Sequence, residues 1–456
     1  MIIENDNKRL VVNTGILYGK VIISVFISLY STRLVLDALG VSDFGVFNLV
    51  GGIVALFSFI NAAMSTATQR FLSFYLGAKE IKKLKAVFHT SVVLHLVIGI
   101  LIVCLLEIAS LYIFNGFLNI PEERLFAAKT VFQFIIISTF FTINAVPYDA
   151  VINANENMLF DSLVGILESL LRLIIAIWLI NSNYDRLILY GLLIAVLTIF
   201  IRIIKWSYCN RKYLECKIKY FQKIDNKLLK EMYSFAGWNL YGALSALGKT
   251  QGLIVVLNVF MGTIVVASYS IAMQVSGQLS FFSQMMLRAI NPQIMKSEGA
   301  RNRTKMLGLS MNASKFGFLL VSLIGVPFIF ELPSILQFWL KEVPGYSVLF
   351  CSLVIIAVMI NQLTIGLDAA IQASGNIKYY MIIVGTIKLM IVPFAYLVLY
   401  MGKPVIFVVT GYVMFEFIGG IGRIFIAKYF LSLQISTYIK HVFGSTLIPM
   451  LINILF

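Results

Sequence analysis

Asp149-Ala150-Val151-Ile152-Asn153-Ala154-Asn155-Glu156-Asn157 returns later in the chain as Asp368-Ala369-Ala370-Ile371-Gln372-Ala373-Ser374-Gly375-Asn376. Both copies read Asp-Ala-x-Ile-(Asn/Gln)-Ala-x-x-Asn, and each lies between two apolar runs. Leu17-Tyr18-Gly19 is echoed by Leu240-Tyr241-Gly242, and Gly40 with Gly45-Val46-Phe47 is echoed by Gly262 with Ala267-Ser268-Tyr269. Three echoes in one order, at nearly one spacing, mark an internal duplication. A hydrophobic chain built as two like halves is a plan common among membrane transporters, whose substrate sites lie where the repeats meet.

Composition supports the membrane setting. Of 456 residues, 60% are hydrophobic and 12% charged, and the mean hydropathy is +0.91. A soluble domain carries about 25% charged residues. The apolar runs recur at lengths near ~20 residues, enough to cross about 30 Å of hydrocarbon as helices. A transmembrane barrel would show short alternating segments instead. Helices are expected over 10–36, 44–76, 87–115, 128–151, 159–181 and 187–208, and again over 234–260, 263–290, 307–331, 346–374, 380–400 and 404–430. The expected fold is an all-α polytopic membrane protein. It has a six-helix bundle over 1–208, a basic linker over 209–233, a second six-helix bundle over 234–430 and an additional C-terminal helix within 431–456.

The formal net charge of +15 follows the positive-inside rule and gives no reason to expect nucleic acid. Lys8, Arg9, Lys79, Lys82, Lys83, Lys85, the linker cations from Arg211 to Lys230, Lys296, Arg301, Arg303, Lys305, Lys378 and Lys428 fall on one set of loops. The alternate loops hold little beyond Arg124, Arg186, Lys341 and Lys403. The first set and the N-terminus are therefore expected in the cytoplasm. Six helices per half leave both halves pointing the same way, so the repeats are expected to be parallel. The linker reads either as a solvated charge run or as an amphipathic piece near Leu228, Leu229 and Met232 lying on the anionic leaflet. No cleavable leader is expected, since the first apolar run is too long for one. Cys104, Cys209, Cys216, Cys351, His89, His95 and His441 show no metal or redox spacing, so packing is the expected role of all seven, with no cofactor.

Charges inside apolar segments cost about 2.5–3.5 kcal/mol each, so each requires a reason. Arg33 with Asp37, and Glu168 with Arg172, stand four residues apart and can neutralise each other on one helix face. Glu416 and Arg423 are two turns apart and can pair as well. Lys20 in the first helix, Lys249 in the seventh and Lys388 in the eleventh have no local partner. Arg70 and Arg288 lie near the ends of the second and eighth helices, where snorkelling is open to them. Buried cations on equivalent helices point to a water-filled cavity that receives an anion, or else to pairing with acids distant in sequence. Asp149 and Asp368 near helix C-termini oppose the helix dipole and call for a basic or polar partner, as a loop clamp or as a gate ion pair. Pro147, Pro327 and Pro393 permit kinks, and Gly51-Gly52 and Gly419-Gly420 permit close helix contacts.

Thr14-Gly15, Leu39-Gly40-Val41-Ser42-Asp43-Phe44-Gly45-Val46-Phe47-Asn48-Leu49 and Ala67-Thr68-Gln69-Arg70-Phe71 resemble the opening of Wzx-type polysaccharide transporters. These are lipid-linked oligosaccharide flippases of the multidrug/oligosaccharidyl-lipid/polysaccharide exporter superfamily. The resemblance implies two six-helix bundles in a V around a central, typically cationic cavity lined by helices 1, 2, 7 and 8. It implies a multi-pass protein of the bacterial inner (plasma) membrane and alternating access. The implied substrate is an undecaprenyl-diphosphate-linked repeat unit of the O-antigen or capsule type. The short thirteenth stretch departs from the usual twelve or fourteen helices.

The sequence thus reads as a flippase rather than an enzyme. Lys20, Lys249, Arg70, Arg288 and Arg33 are the candidates for substrate contact. Asp149, Asp368, Glu416 and Lys388 are the candidates for gating or for coupling to a proton or sodium gradient. Lysine suits a mobile diphosphate as a point charge, where bidentate arginine holds it more rigidly. The expected partners are a polyprenyl-diphosphate-linked glycan, membrane lipid and the glycan polymerase machinery. A multidrug/cation antiporter of the same fold is the first rival and would need unpaired acids. A membrane glycosyltransferase would need acidic or metal groups on large external loops, and a non-transporting scaffold is a third rival.

Overall fold

A computed structural model describes residues 2–55, 58–114, 120–217, 226–340 and 342–455. Lys219 and Lys223 of the linker, and Lys341, lie outside them. The chain divides into two compact units, Met1–Tyr233 and Ser234–Phe456. The first contains α1 (Ile2–Ala55), α2 (Ser58–Gly77), α3 (Ile81–Tyr112), α4 (Glu122–Ala154), α5 (Met158–Ile180), α6 (Arg186–Lys212) and a 3₁₀ turn over Leu214–Cys216. α7 (Asn226–Gly299) begins in the first unit and continues into the second, followed by α8 (Arg303–Phe330), α9 (Leu332–Trp339), α10 (Ser347–Gln362), α11 (Ile365–Ser374) and α12 (Lys378–Leu389). The chain ends with α13 (Ile391–Tyr400), α14 (Ile406–Leu431), α15 (Ile435–Tyr438), a π turn over Ile439–Gly444 and α16 (Ser445–Leu455). Among the described residues no strand occurs.

The breaks expected after the first and seventh helices fall on two glycines without a loop. α1 kinks at Gly40 (φ 74°, ψ 167°) and α7 at Gly262 (φ 77°, ψ −173°). Positive φ with extended ψ is a region almost confined to glycine, because a Cβ crowds the flanking peptide groups. A Cβ at either position would meet no other atom within 4 Å, so the backbone conformation, not lack of space, demands glycine. The two residues are the third echo of the sequence. They now have one physical meaning: a kink that turns a helix without an intervening loop.

Among the described residues nine helices are long and apolar enough to cross a membrane, or ten if the pair α10 and α11, bent by 43°, counts as one span. The twelve expected segments differ from this count because α7 carries two of them in one kinked helix. The second expected helix is also shared between the end of α1 and α2. Pro393 accounts for another break. It has no N–H to give Leu389, and α12 ends at Leu389. The stretch from Leu228 to Met232 is the start of α7 and not a separate interfacial helix, and Leu228 and Met232 are buried within the protein.

Each unit has its own core. In the first, α1 packs on α5 and α4 on α6, around Val50, Leu106, Phe132, Leu179 and Leu187. In the second, Leu257 and Tyr269 of α7 meet Val321, Phe350, Ile391 and Val408. Apolar side chains left outside, such as Leu163, Leu170, Ile174 and Trp178 on one side of α5, suit lipid as the surrounding solvent. Polar ends are capped in the usual way. Asn157 accepts from the Phe160 N–H, Asp185 from those of Leu187 and Ile188, and Asn302 from that of Lys305.

Arg124 of α4 ties Asp43, just past the Gly40 hinge, to Asp185, the cap of α6. Burial raises the Asp185 carboxyl, but the Arg124 guanidinium and the Ile188 and Leu187 N–H groups outweigh this and hold it below the usual aspartate range. The pair therefore stabilises fully above the ordinary aspartate pKa near ~3.9, and less as pH falls through the lower folded value. The melting temperature of Asp185→Asn should lie below wild type at neutral pH, with the gap closing in acid below about pH 3. For the hinges, Gly40→Ala or Gly262→Ala should cost about 1–3 kcal/mol in detergent-solubilised denaturation. Gly277→Ala, in ordinary helix with open space at its Cβ position, should be neutral or slightly stabilising.

Candidate functional site

In the first unit, α1, α4, α5 and α6 bring five charges into one chain of contacts. Lys20 of α1 reaches Asp161 in the first turn of α5 at 3.0 Å. The other Asp161 oxygen accepts from Lys205 of α6 at 3.2 Å. Lys205 also meets Asp149 of α4 at 2.7 Å, and Arg202 closes the chain on Asp149 at 3.4 Å. The Lys20 side chain is 19% exposed and that of Asp161 5%, so the carboxylate depends on its cations far more than on water. Gly165 makes the reach possible, since a Cβ there would collide with the Lys20 Cε. Lys20 is therefore not a solitary cation half way across the membrane. It lies level with the first turn of α5, with an acid 141 residues away in sequence.

The Asp149 motif ends α4, and its remaining residues build the turn. Asn155 bonds the Glu215 carboxylate at 2.9 Å, and Glu156 takes φ 56°. The Asn157 amide donates to the hydroxyls of Tyr208 and Tyr213 at 2.6 and 3.0 Å. Burial pushes the Tyr213 phenol up to about 12, so it stays a neutral partner. The second copy differs in one respect. α10 breaks before α11, so Asp368 falls in the first turn of α11, where the dipole favours an anion. The opposition expected for Asp368 is absent for that reason. It accepts from Gln372 at 3.2 Å, and Gly375 ends the helix at φ 83°.

In the second unit, Lys249 of α7 contacts Glu416 of α14 at 2.6 Å and the Tyr412 hydroxyl at 3.0 Å. The second Glu416 oxygen accepts from Asn361 at 3.0 Å. These side chains line a cavity of about 170 Å³ together with Ser276, Ser280 and Lys388. Arg423, 3% exposed, donates to Thr364 at 3.0 Å and makes no ion pair with Glu416 among the described residues. The pairing expected between these two fails because Lys249, on another helix, takes the carboxylate first.

The two units therefore carry one charge pattern. Lys20, Lys205 and Arg202 surround Asp149 and Asp161 in the first. In the second, Lys388 shares the cavity lining with Lys249 and Glu416, and Arg423 and Asp368 are near enough to act on it electrostatically. Among the described residues each group holds three basic side chains and two carboxylates. Arg423 stands as far beyond Arg202 as Asp368 stands beyond Asp149, to within two residues, so the duplication reaches these positions too.

The other candidates lie apart from both groups. Arg70 of α2 is buried, with its guanidinium over the rings of Phe71 and Phe74 at 4.6 and 4.8 Å. Arg288, on the second limb of α7, is half-buried and does not line the cavity. Arg33 and Asp37 are both exposed and form no ion pair among the described residues, unlike Glu168 and Arg172, which pair at 2.8 Å. Sequence reasoning missed Asp161, Lys205 and Arg202 as site residues. The signal was present: two cations three apart near the end of an apolar helix share a face. Tyr412 and Asn361 carried no such signal.

Lys249 and Glu416 are 12% and 9% exposed, so removing one leaves a buried charge uncompensated. Lys249→Met or Glu416→Gln alone should cost about 3–5 kcal/mol in denaturation, and the double variant far less than the sum. Additive losses would show that the two groups do not depend on each other.

A family model described as MatE matches residues 18–178. No curated protein matches the chain. Among solved structures, the chain is similar to an outward-facing multidrug resistance MATE family transporter of the MOP superfamily. The two are 16% identical, with a TM-score of 0.79, over 94% of this chain and 96% of that one. It is similar to a MOP superfamily transporter from Pyrococcus furiosus, described as having a binding pocket of reverse polarity that suggests a different function (15% identity, TM-score 0.76, 94% and 96% covered). A MATE in the bent conformation superposes with a TM-score of 0.74 at 17% identity, over 94% of this chain and 99% of that one. The fold of this chain is thus the helical fold of MATE-type transporters of the MOP superfamily.

Proposed function

We propose that this chain is a flippase that moves a polyprenyl-diphosphate-linked oligosaccharide of the O-antigen or capsule type across the bacterial inner membrane by alternating access. One observation supports the reading: among the described residues both charge groups hold three basic side chains to two carboxylates. An anion entering either group completes its neutrality, whereas a cation adds to the excess. The Pyrococcus furiosus transporter is described as having a pocket of reverse polarity that suggests a different function, which supports the same fold serving more than one function. Lys249 and Lys388 are the cavity cations, and Lys20 acts through Asp161 and Lys205. Arg70, Arg288 and Arg33 are offered as secondary contacts along the path of the diphosphate. The carrier must have two states of comparable energy, biased by cargo or ion, and Asp149, Asp368 and Glu416 are the groups whose pairing would differ between them.

The second reading is a multidrug/cation antiporter, favoured by the multidrug transporter among the structural neighbours. Such a cargo requires an available carboxylate. Asp149, Asp161 and Glu416 are each held by a cation, which leaves Asp368 as its best anchor.

Proteoliposomes carrying a fluorescent prenyl-diphosphate-linked oligosaccharide separate the two readings. The wild type should flip it, and Lys388→Ala, which breaks no ion pair among the described residues, should slow flipping by about tenfold or more. Lys20→Ala and Lys249→Ala should fail to flip while retaining their elution volume in detergent. Absence of wild-type flipping, with exchange of organic cations for protons, would establish the antiporter instead.

A further inference from the structure

In the first unit α3 and α4 pack side by side and leave a groove of about 270 Å³ between them. Ile100, Val103, Ile137 and Phe140 give it apolar walls, and Glu107 and Gln133 make its polar part. The Gln133 amide donates to one Glu107 carboxylate oxygen at 3.1 Å. Among the described residues Glu107 forms no ion pair. Lys129 stands one turn from Gln133 on the same face of α4 and is exposed. It pairs with no carboxylate among the described residues. The α3 surface beside the groove is apolar and exposed at Val97, Leu101, Leu105, Ile108 and Leu111, so lipid is the solvent this face suits.

A carboxylate on a lipid-facing surface is costly, and one amide donor satisfies only part of its accepting capacity. Its depth allows a headgroup to supply the rest. Glu107 lies little more than a turn before α3 ends at Tyr112, which is 74% exposed and of the residue type that marks the headgroup level. Lys129 is one turn nearer the start of α4 at Glu122 than Gln133 is. Both charged side chains are long enough to reach toward the headgroup layer. An occupant that satisfies the whole groove brings a cation for Glu107, an anion for Lys129 and an apolar chain for the walls. A phospholipid with a primary ammonium headgroup carries all three. A quaternary ammonium has the charge but no N–H to donate. A glycerol headgroup leaves only the phosphate charge, which Glu107 repels.

We propose that the α3–α4 groove is a binding site for a phospholipid of the phosphatidylethanolamine type. Its ammonium donates to Glu107, its phosphate meets Lys129, and one of its chains lies along Ile100, Val103, Ile137 and Phe140. The lipid then ties α3 to α4 through their charged side chains. None of these residues belongs to the charge groups around Lys20 or Lys249, so the site is independent of what the protein carries.

The test places the full chain in phosphatidylcholine nanodiscs containing a small fraction of a lipid whose acyl chain carries a diazirine. Phosphatidylethanolamine, its mono- and dimethylated forms, phosphatidylcholine and phosphatidylglycerol, all with that chain, are compared in turn. Mass spectrometry after illumination reads the labelling of the peptides that hold Ile100 to Glu107 and Gln133 to Phe140. On the wild type the ethanolamine lipid should label these peptides about tenfold or more above the choline and glycerol lipids, and its lead should fall with each added methyl group. Glu107→Gln should bring the ethanolamine lipid down to the choline level. Lys129→Gln should weaken its labelling while leaving it ahead of choline. The methylation series needs no variant, so it decides the matter even where a substitution harms folding. Equal labelling of the wild type by all the lipids, a stronger signal from phosphatidylglycerol, or an ethanolamine lead that survives Glu107→Gln overturns the headgroup assignment. A groove that no lipid labels overturns the site. If the exposed Cys104 in the groove is then joined to its counterpart by a bifunctional thiol reagent, the occupant is a second copy of the chain.

Discussion

A charge inside hydrocarbon must find its opposite, and most of the polar architecture of this chain follows from that constraint. Lys20, Asp161, Lys205, Asp149 and Arg202 are arranged as alternating partners. Four helices must be held at fixed distances for those contacts to exist. The apolar core of the first unit does not need such polar links to be stable, since burying an ion pair is seldom better than burying apolar groups of the same volume. What the pairing does supply is a single register between helices that apolar packing alone leaves free to slide.

The same constraint explains why the groups are odd in number. Among the described residues, three basic side chains meet two carboxylates in each group, an excess of basic groups. A purely structural network has no use for that excess. A carrier of anions does, because the cargo then supplies the last counter-charge and leaves again without stripping the protein of a partner. On the proposed reading, a cargo anion in the cavity approaches the same Lys249 that meets Glu416 at 2.6 Å, so occupancy and internal pairing compete. That competition is a physical means of biasing two states of the protein.

The hinges work at another level. Gly40 and Gly262 turn α1 and α7 through conformations closed to other residues. Each separates a limb that carries a buried lysine from a limb that packs elsewhere in its unit. Each turn is made with no intervening loop, so it leaves fewer backbone groups to be satisfied than a loop would.

The sequence by itself determined the class of the protein. Its apolar runs, its single-sided basic loops and its repeated Asp-Ala-x-Ile motif specify a duplicated bundle of membrane helices, since hydrocarbon admits little else. It located both hinge glycines as an echo, and it showed Glu168 with Arg172, because partners four apart in one helix are a local matter. It placed Lys20 and Lys249 on equivalent helices but not their partners. Asp161 lies 141 residues from Lys20, and Glu416 lies 167 from Lys249, and no local rule joins residues so separated. It also misjudged Asp368, whose place in the dipole changed when α10 and α11 parted, and it joined Glu416 to Arg423 when Lys249 was nearer in space. Those choices were left to tertiary packing, because an ion pair is settled by distance and dielectric in the folded bundle and not by position along the chain.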